Sequence, residues 1–108
     1  MKFTKANIKV VIQRKLSTDD RWALRALERI YALQTSSEKA SHSTYEVNNV
    51  GFSGADAEIL SSFAEQYRQW GSLSPKQMEL LRKRIVRYHG QIARMIPVDV
   101  LERMVIEA

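Results

Sequence analysis

The sequence predicts an all-α fold, a compact bundle of four to five helices that contains an antiparallel helical hairpin and forms one domain over residues 1–108. Only four glycines and two prolines occur in 108 residues, so few positions interrupt a helix. Nearly all apolar residues recur at intervals of three and four, the period of an amphipathic helix. A chain of this length buries enough surface to fold as a single domain without crosslinks.

The first predicted helix spans about Lys5 to Leu16. Its apolar residues Ile8, Val11, Ile12 and Leu16 fall on one helical face. The β-branched cluster within it is also compatible with a strand, so the sequence leaves both interpretations open.

The second helix is predicted to begin at Ser17-Thr18-Asp19-Asp20, where a hydroxyl caps the first turn and two carboxylates lie at the positive end of the helix dipole. Arginines recur every fourth residue along its outer side, with Trp22 beside them, at Arg21, Arg25 and Arg29. Two interpretations remain open. The arginines either solvate this side, with Glu28 pairing to Arg21 or Arg25, or they form a row that contacts a ligand.

Residues 35–50 are polar, and Asn48-Asn49-Val50-Gly51 predicts a turn because Asn and Gly tolerate a positive φ. Ser53, with Asp56 three residues later, predicts the capping box of a third helix. Gly71 is the expected C-terminal glycine of that helix.

A fourth helix is predicted to begin at Ser74-Pro75-Lys76-Gln77, a second capping box with proline at the first helical position. Its core stripe continues to Met95, and cations project from the opposite side within about 40° of one another. These cations are Lys76, Lys83, Arg87 and Arg94. The segment carries a formal charge of +5, equal to that of the whole chain. Pro97 ends it, and Val98 to Ile106 forms a short last helix with Val98, Leu101 and Val105 facing inward.

Several classes of function are disfavoured by what the sequence lacks. Without cysteine there is no disulfide or thiolate metal site. His42 and His89 have no further ligand at metal-binding spacing, and no serine occurs in a nucleophile-elbow setting. We therefore expect no cofactor, no metal and no enzymatic activity. No apolar run reaches the length of a membrane span, which predicts a soluble, cytoplasmic protein without membrane contact.

The basic residues predict a polyanionic partner. The first hypothesis is nucleic-acid binding, DNA or RNA, in which Lys76, Lys83, Arg87 and Arg94 contact backbone phosphates and the arginine row with Trp22 flanks them. The alternative is a protein-binding adaptor or inhibitor that presents the same positive face to an acidic partner. Its candidate anchors are Trp22, Trp70 and Tyr45.

Six short blocks between Thr18 and Ile96 resemble a small, poorly characterised family of phage, plasmid and other mobile-element proteins, similar segments of which occur as appendages of helicase-type proteins. The blocks are Asp19-Asp20-Arg21, Ile30-Tyr31-x-x-Gln34-Thr35, Val50-Gly51-Phe52-Ser53-Gly54-x-Asp56-Ala57, Leu60-Ser61-Ser62-Phe63-Ala64, Leu73-Ser74-Pro75-Lys76-Gln77 and Tyr88-x-Gly90-Gln91-Ile92. The resemblance implies nucleic-acid metabolism or host takeover as the context, and it transfers no catalytic residue. Gly51, Phe52 and Asp56 are better explained as turn, plug and helix-start residues than as a site, and the second interpretation stays open.

Overall fold

Six α-helices and one 3₁₀ turn form the bundle in a computed structural model, which describes the backbone of residues 1–41 and 51–108 and the side chains of 1–34 and 51–108. The helices are α1 Lys5–Thr18, α2 Asp20–Ser41, α3 Gly54–Trp70, α4 Pro75–Ile85, α5 His89–Met95 and α6 Val98–Ile106, with the 3₁₀ turn Val86–Tyr88 between α4 and α5. No strand occurs in the described ranges, and the predicted all-α bundle is confirmed. The predicted turn at Asn48-Asn49-Val50, His42 and Tyr45 lie outside the described residues.

The first segment is a helix rather than a strand, and it lies at the centre of the bundle. It packs against α2, α4, α5 and α6. Val11, Ile12 and Leu16 are buried on the predicted face, and the Thr4 hydroxyl caps the helix by accepting from the Asn7 amide at 3.2 Å. Packing against these four helices favours a helix over a strand in this segment, because burial of an apolar face supplies most of the stability of a helix in a protein.

The predicted hydroxyl cap of α2 is wrong. Thr18 belongs to α1, and the Ser17 and Thr18 hydroxyls both donate back to the Arg14 carbonyl, at 3.2 and 2.6 Å. Asp19 caps α2 instead, because its carboxylate accepts from the Arg21 amide at 3.0 Å. A carboxylate is favoured there by the helix dipole, while the hydroxyls are satisfied one turn back in α1.

The turn between α3 and α4 follows the prediction. Gly71 adopts a left-handed φ of 75° at the end of α3. Ser74 and Gln77 form both bonds of the capping box, at 2.8 and 3.2 Å. Gln77 also exchanges two hydrogen bonds with Gln66 of α3, at 2.8 and 2.9 Å, and thereby ties the two helices together beside the turn.

The prediction of one straight helix to Met95 is wrong, because the 3₁₀ turn interrupts it after Ile85. Tyr88 lies at the interruption, with its ring edge-on to Phe52 at a centroid distance of 5.7 Å. A 3₁₀ residue advances the chain by about 120° rather than about 100°, so three of them rotate the following side chains by up to about 60°. Lys76 and Lys83 therefore lie on the helix before the interruption, whereas Arg94 lies on the helix after it.

The core stripe survives this interruption. Met78, Leu81, Ile85, Tyr88 and Ile92 are all buried, as their spacing predicts. The last helix also has the predicted bounds, with Leu101 and Val105 buried. Its first residue differs from the prediction, because Val98 is 68% exposed rather than facing inward.

Candidate binding surfaces

The four cations predicted to bind phosphate are all exposed along α4, the 3₁₀ turn and α5. Lys76 and Arg94 have no carboxylate partner among the described residues. Lys83 pairs with Glu79 at 3.5 Å, and both side chains are well exposed, so this pair contributes little to stability and yields readily to a phosphate. The Arg87 guanidinium lies 3.6 Å from the buried Asp56 carboxylate, while most of the Arg87 side chain is exposed to solvent.

Carboxylates from distant parts of the chain lower the charge of this segment. Asp20 accepts a 2.6 Å bond from Arg82, and Asp56 accepts a 2.6 Å bond from Arg84. Once these two carboxylates are included, the local formal charge falls from +5 to +3. The positive surface is therefore weaker than the sequence suggests, and Lys76, Lys83 and Arg94 supply most of it.

Asp56 is the one fully buried charged residue in the described part of the chain. Besides Arg84, its carboxylate accepts hydrogen bonds from the Tyr88 hydroxyl at 2.7 Å and the Ser53 hydroxyl at 3.4 Å. The predicted capping box at Ser53 therefore does not form. Ser53 bonds the Asp56 side chain rather than a backbone amide, because Tyr88 and Arg84 draw the carboxylate inward from the helix start.

The environment of Asp56 keeps it ionised. Burial raises the pKa of the Asp56 carboxyl. The hydrogen bonds from Tyr88 and Arg84 and the positive charges of Arg87 and Arg84 lower the same pKa, and together they outweigh burial, so that the net shift is downward. Burial raises the pKa of the Tyr88 hydroxyl, and its bond to the Asp56 carboxylate acts in the same direction. Both groups stay in their ordinary charge states at neutral pH, as a structural network requires.

Side chains from α2, from α5 and from the 3₁₀ turn hold the backbone of residues 51–53. The amides of Gly51, Phe52 and Ser53 donate to Gln91 at 3.2 Å, Gln34 at 3.0 Å and Tyr88 at 3.0 Å, and Gln91 donates back to the Gly51 carbonyl at 2.9 Å. Gly51 has a φ of 89° and Phe52 is buried. These residues come from the blocks that carry the family resemblance, and here they form a fold-stabilising network, as expected for a turn and a plug.

A second surface is an open groove between α2 and the α5–α6 corner, with a volume of about 470 Å³. One wall consists of the arginine row of α2 together with Trp22. The facing side is apolar and is formed by Ile92, Met95, Ile96, Pro97, Val100 and Met104. None of Lys76, Lys83, Arg87 and Arg94 lines this groove, so the predicted site residues divide into two separate groups.

Asp19 is the one carboxylate among the described residues that line the groove, and it lies at the Arg21 end of the wall. Arg21 lies 3.7 Å from Asp19 in an exposed pair, whereas Arg25 and Arg29 are exposed and have no ion-pair partner among the described residues. Glu28 does not pair with Arg21 or Arg25 as predicted. It pairs with Arg68 at 3.0 Å, because α3 packs beside α2 on that side. The row is exposed and lines the groove, which is compatible with both interpretations of the row.

Trp22 lies at the boundary between groove and core. Its ring packs partly against the core, and the Lys15 ammonium lies 5.5 Å from the ring centroid. Trp70, by contrast, is 71% exposed on α3 and lies away from the groove. Of the two tryptophans, Trp22 is therefore the one positioned to act as an anchor in the groove.

The residues predicted from the sequence include neither the apolar side of the groove nor the pairing of Arg84 with Asp56. Met95 is spaced as a core residue, and Val100 and Met104 belong to a helix too short to reveal a second face. The available signal was the unusual concentration of apolar residues from Met95 to Ile106 around Pro97, more than a helix of that length needs to cover one face.

Comparison with family models, with curated proteins and with solved structures finds no match for this chain. Within the described residues, no helix is long and apolar enough to cross a membrane. The same residues contain no cluster of three side chains suited to bind a metal ion.

Proposed function

We propose that this protein is a non-enzymatic accessory protein that binds nucleic acid through backbone phosphates, in the nucleic-acid metabolism of a mobile element. The observation that carries the proposal is the exposed series of cations on α4 and α5, where Lys76 and Arg94 lack a carboxylate partner among the described residues and Lys83 has only an exposed one. The family resemblance supplies the mobile-element context.

The expected contacts are to phosphates rather than to bases. Lysine and arginine side chains neutralise phosphates and release counterions, which gives affinity without sequence preference. The 3₁₀ turn divides the cations between two helical segments, and such a division suits a contact with a flexible backbone better than a single straight helix inserted into a groove.

The test is a salt titration of labelled DNA and RNA oligonucleotides, single- and double-stranded. If about four phosphates are neutralised on duplex, the plot of log K against log salt should have a slope near −3.6. The double variant Lys76→Gln with Lys83→Gln should reduce the magnitude of that slope by about 1.8 and weaken all sequences alike. Arg87 is left unchanged because it also neutralises the buried Asp56.

The matched control is Lys2→Gln with Arg103→Gln, which removes the same charge from exposed positions on α6 and the N-terminal segment. It should leave the slope nearly unchanged. Equal losses in both double variants would mean that only net charge matters. No oligonucleotide affinity at about 50 mM salt would contradict the proposal.

The second candidate function is a protein-binding adaptor or inhibitor. The arginine-walled groove favours it, since a wall of cations facing an apolar side is suited to an acidic and partly apolar partner. The two functions use different residues and can be tested separately.

A further inference from the structure

We propose that the groove between α2 and the α5–α6 corner binds an acidic amphipathic helix of a partner protein, with glutamate or aspartate side chains against the arginine wall and aliphatic side chains on the apolar side. This interaction is independent of phosphate binding by α4 and α5, because the groove contains none of those cations.

The charge of the wall selects acidic side chains spaced along a helix. Arg21, Arg25 and Arg29 are four residues apart on α2, so the Cα atoms of neighbouring arginines are offset by about 6 Å along the axis. Carboxylates four residues apart on a partner helix have the same offset. Arginine is well suited to such pairing because its planar fork of donors matches a carboxylate.

The apolar side of the groove selects aliphatic side chains. Met95 of α5 and Val100 and Met104 of α6 lie opposite the arginine wall. Ile96 and Pro97, which connect α5 to α6, complete this apolar side. Methionine adapts its shape to irregular apolar surfaces, and helix-in-groove complexes use apolar side chains at intervals of three and four as anchors. Val100 is 36% exposed, so its methyl groups are available to a partner.

A polypeptide fits this groove better than a nucleic-acid strand does. Groove-bound single strands stack their bases on several aromatic rings. Among the described residues, Trp22 is the only aromatic one that lines the groove, and the Lys15 ammonium lies above its ring. The remainder of the facing side is aliphatic and offers no surface for base stacking.

The probe is a synthetic helical peptide of about 14 residues, long enough to span the wall. It has glutamate at its third, seventh and eleventh positions and leucine at its fourth, fifth, eighth and twelfth, with alanine, lysine and glutamine elsewhere. A matched peptide replaces the three glutamates with glutamines. A third peptide keeps the glutamates and replaces the leucines with serines.

Trp22 fluorescence provides a local readout. The chain has two tryptophans, and Trp70 is largely exposed outside the groove, so Trp70→Phe leaves Trp22 as the single reporter. We expect the glutamate peptide to shift the Trp22 emission to shorter wavelength as it excludes water from the groove. The glutamine and serine peptides should each bind at least about tenfold more weakly.

Variants of the protein assign the binding to the groove. In the Trp70→Phe background, Arg25→Gln with Arg29→Gln should weaken the glutamate peptide at least about tenfold while leaving the glutamine peptide unaffected. Val100→Thr changes polarity at nearly constant shape and should weaken both peptides. Lys76→Gln with Lys83→Gln is the control and should leave peptide binding unchanged. Far-UV circular dichroism melting verifies that each variant is folded.

Two results would overturn the inference. The first is equal affinity for the glutamate and glutamine peptides, or no binding of the glutamate peptide at about 1 mM. The second is a pair of observations: a single-stranded oligonucleotide displaces the peptide, and the Arg25→Gln, Arg29→Gln variant loses oligonucleotide binding as strongly as it loses peptide binding. Together they would make the groove a nucleic-acid site. Loss of oligonucleotide binding only in the Lys76→Gln, Lys83→Gln variant leaves the two surfaces independent.

Discussion

Replacing Asp56 with asparagine tests whether the buried carboxylate holds α3 against the α4–α5 junction. Asp56→Asn keeps the shape of the side chain and removes its charge. The Arg84 guanidinium, 2.6 Å from the carboxylate, then loses its ion pair, and Arg87 loses a second one at 3.6 Å. The Tyr88 hydroxyl can still donate to the asparagine carbonyl oxygen, so most of the loss should come from the arginines.

The expected cost is about 2–3 kcal/mol. Removing one partner of a buried ion pair typically costs about 3–5 kcal/mol, since the other charge stays buried. Here Arg84 is 32% exposed and Arg87 is 61% exposed, so both can regain some hydration, and the cost should be lower. At about 4–8 °C per kcal/mol for a domain of this size, the melting temperature should fall by roughly 10–20 °C.

The pH dependence of stability provides the more specific assay. The pKa of Asp56 is lower in the folded state than the value of about 3.9 expected for the unfolded chain. Its contribution is therefore fully present above the unfolded pKa and is lost as pH falls through the lower folded pKa. Urea unfolding of the wild type and of Asp56→Asn should differ most near pH 7 and converge in strong acid.

Asp99→Asn is the matched control, because Asp99 is exposed in the first turn of α6 and makes no ion pair among the described residues. The free energy of unfolding of the Asp99→Asn variant should differ from that of the wild type by less than about 1 kcal/mol. A melting temperature of Asp56→Asn within about 2 °C of the wild type, or a stability difference that persists unchanged in strong acid, would refute the structural role of the carboxylate.

Two further predictions concern the fold. Leu81→Ala, at a fully buried position of the core stripe, should lower the free energy of unfolding by about 2–5 kcal/mol in urea denaturation, and unchanged stability would mean that the stripe is not core. Gly51→Ala should be strongly destabilising, because φ is 89° and an added Cβ would lie 2.9 Å from the Cβ of Gln34. The control in thermal melting is Gly54→Ala, which should be neutral because an added Cβ there meets open space. Equal melting temperatures for the two glycine variants would contradict this account.

Local signals in the sequence determine the helices and many of their ends. The capping box at Ser74 and the glycine at Gly71 appear as predicted because each depends on residues within one helical turn. The buried stripe from Met78 to Ile92 follows from periodicity alone, since a helix must cover its apolar face. Where local alternatives compete, as with the hydroxyls and Asp19 at the start of α2, the sequence does not decide between them.

The tertiary structure alone decides which charges remain available to a partner. Arg82, Arg84 and Arg87 look equivalent to Lys76 in the sequence, yet their carboxylate partners Asp20 and Asp56 lie 28 to 62 residues away along the chain. Because ion pairing depends on distance in space, no local pattern reveals this neutralisation.

The same reason explains the groove, whose arginine wall and apolar side come from helices far apart in the sequence. Periodicity places Arg25 and Arg29 on an outer face of α2, but it does not tell what lies opposite them. Only the packing of the α5–α6 corner beside α2 brings Met95, Val100 and Met104 to that position. The sequence by itself thus determines the helices and the charge they carry, whereas the contacts between helices decide where that charge can bind a partner.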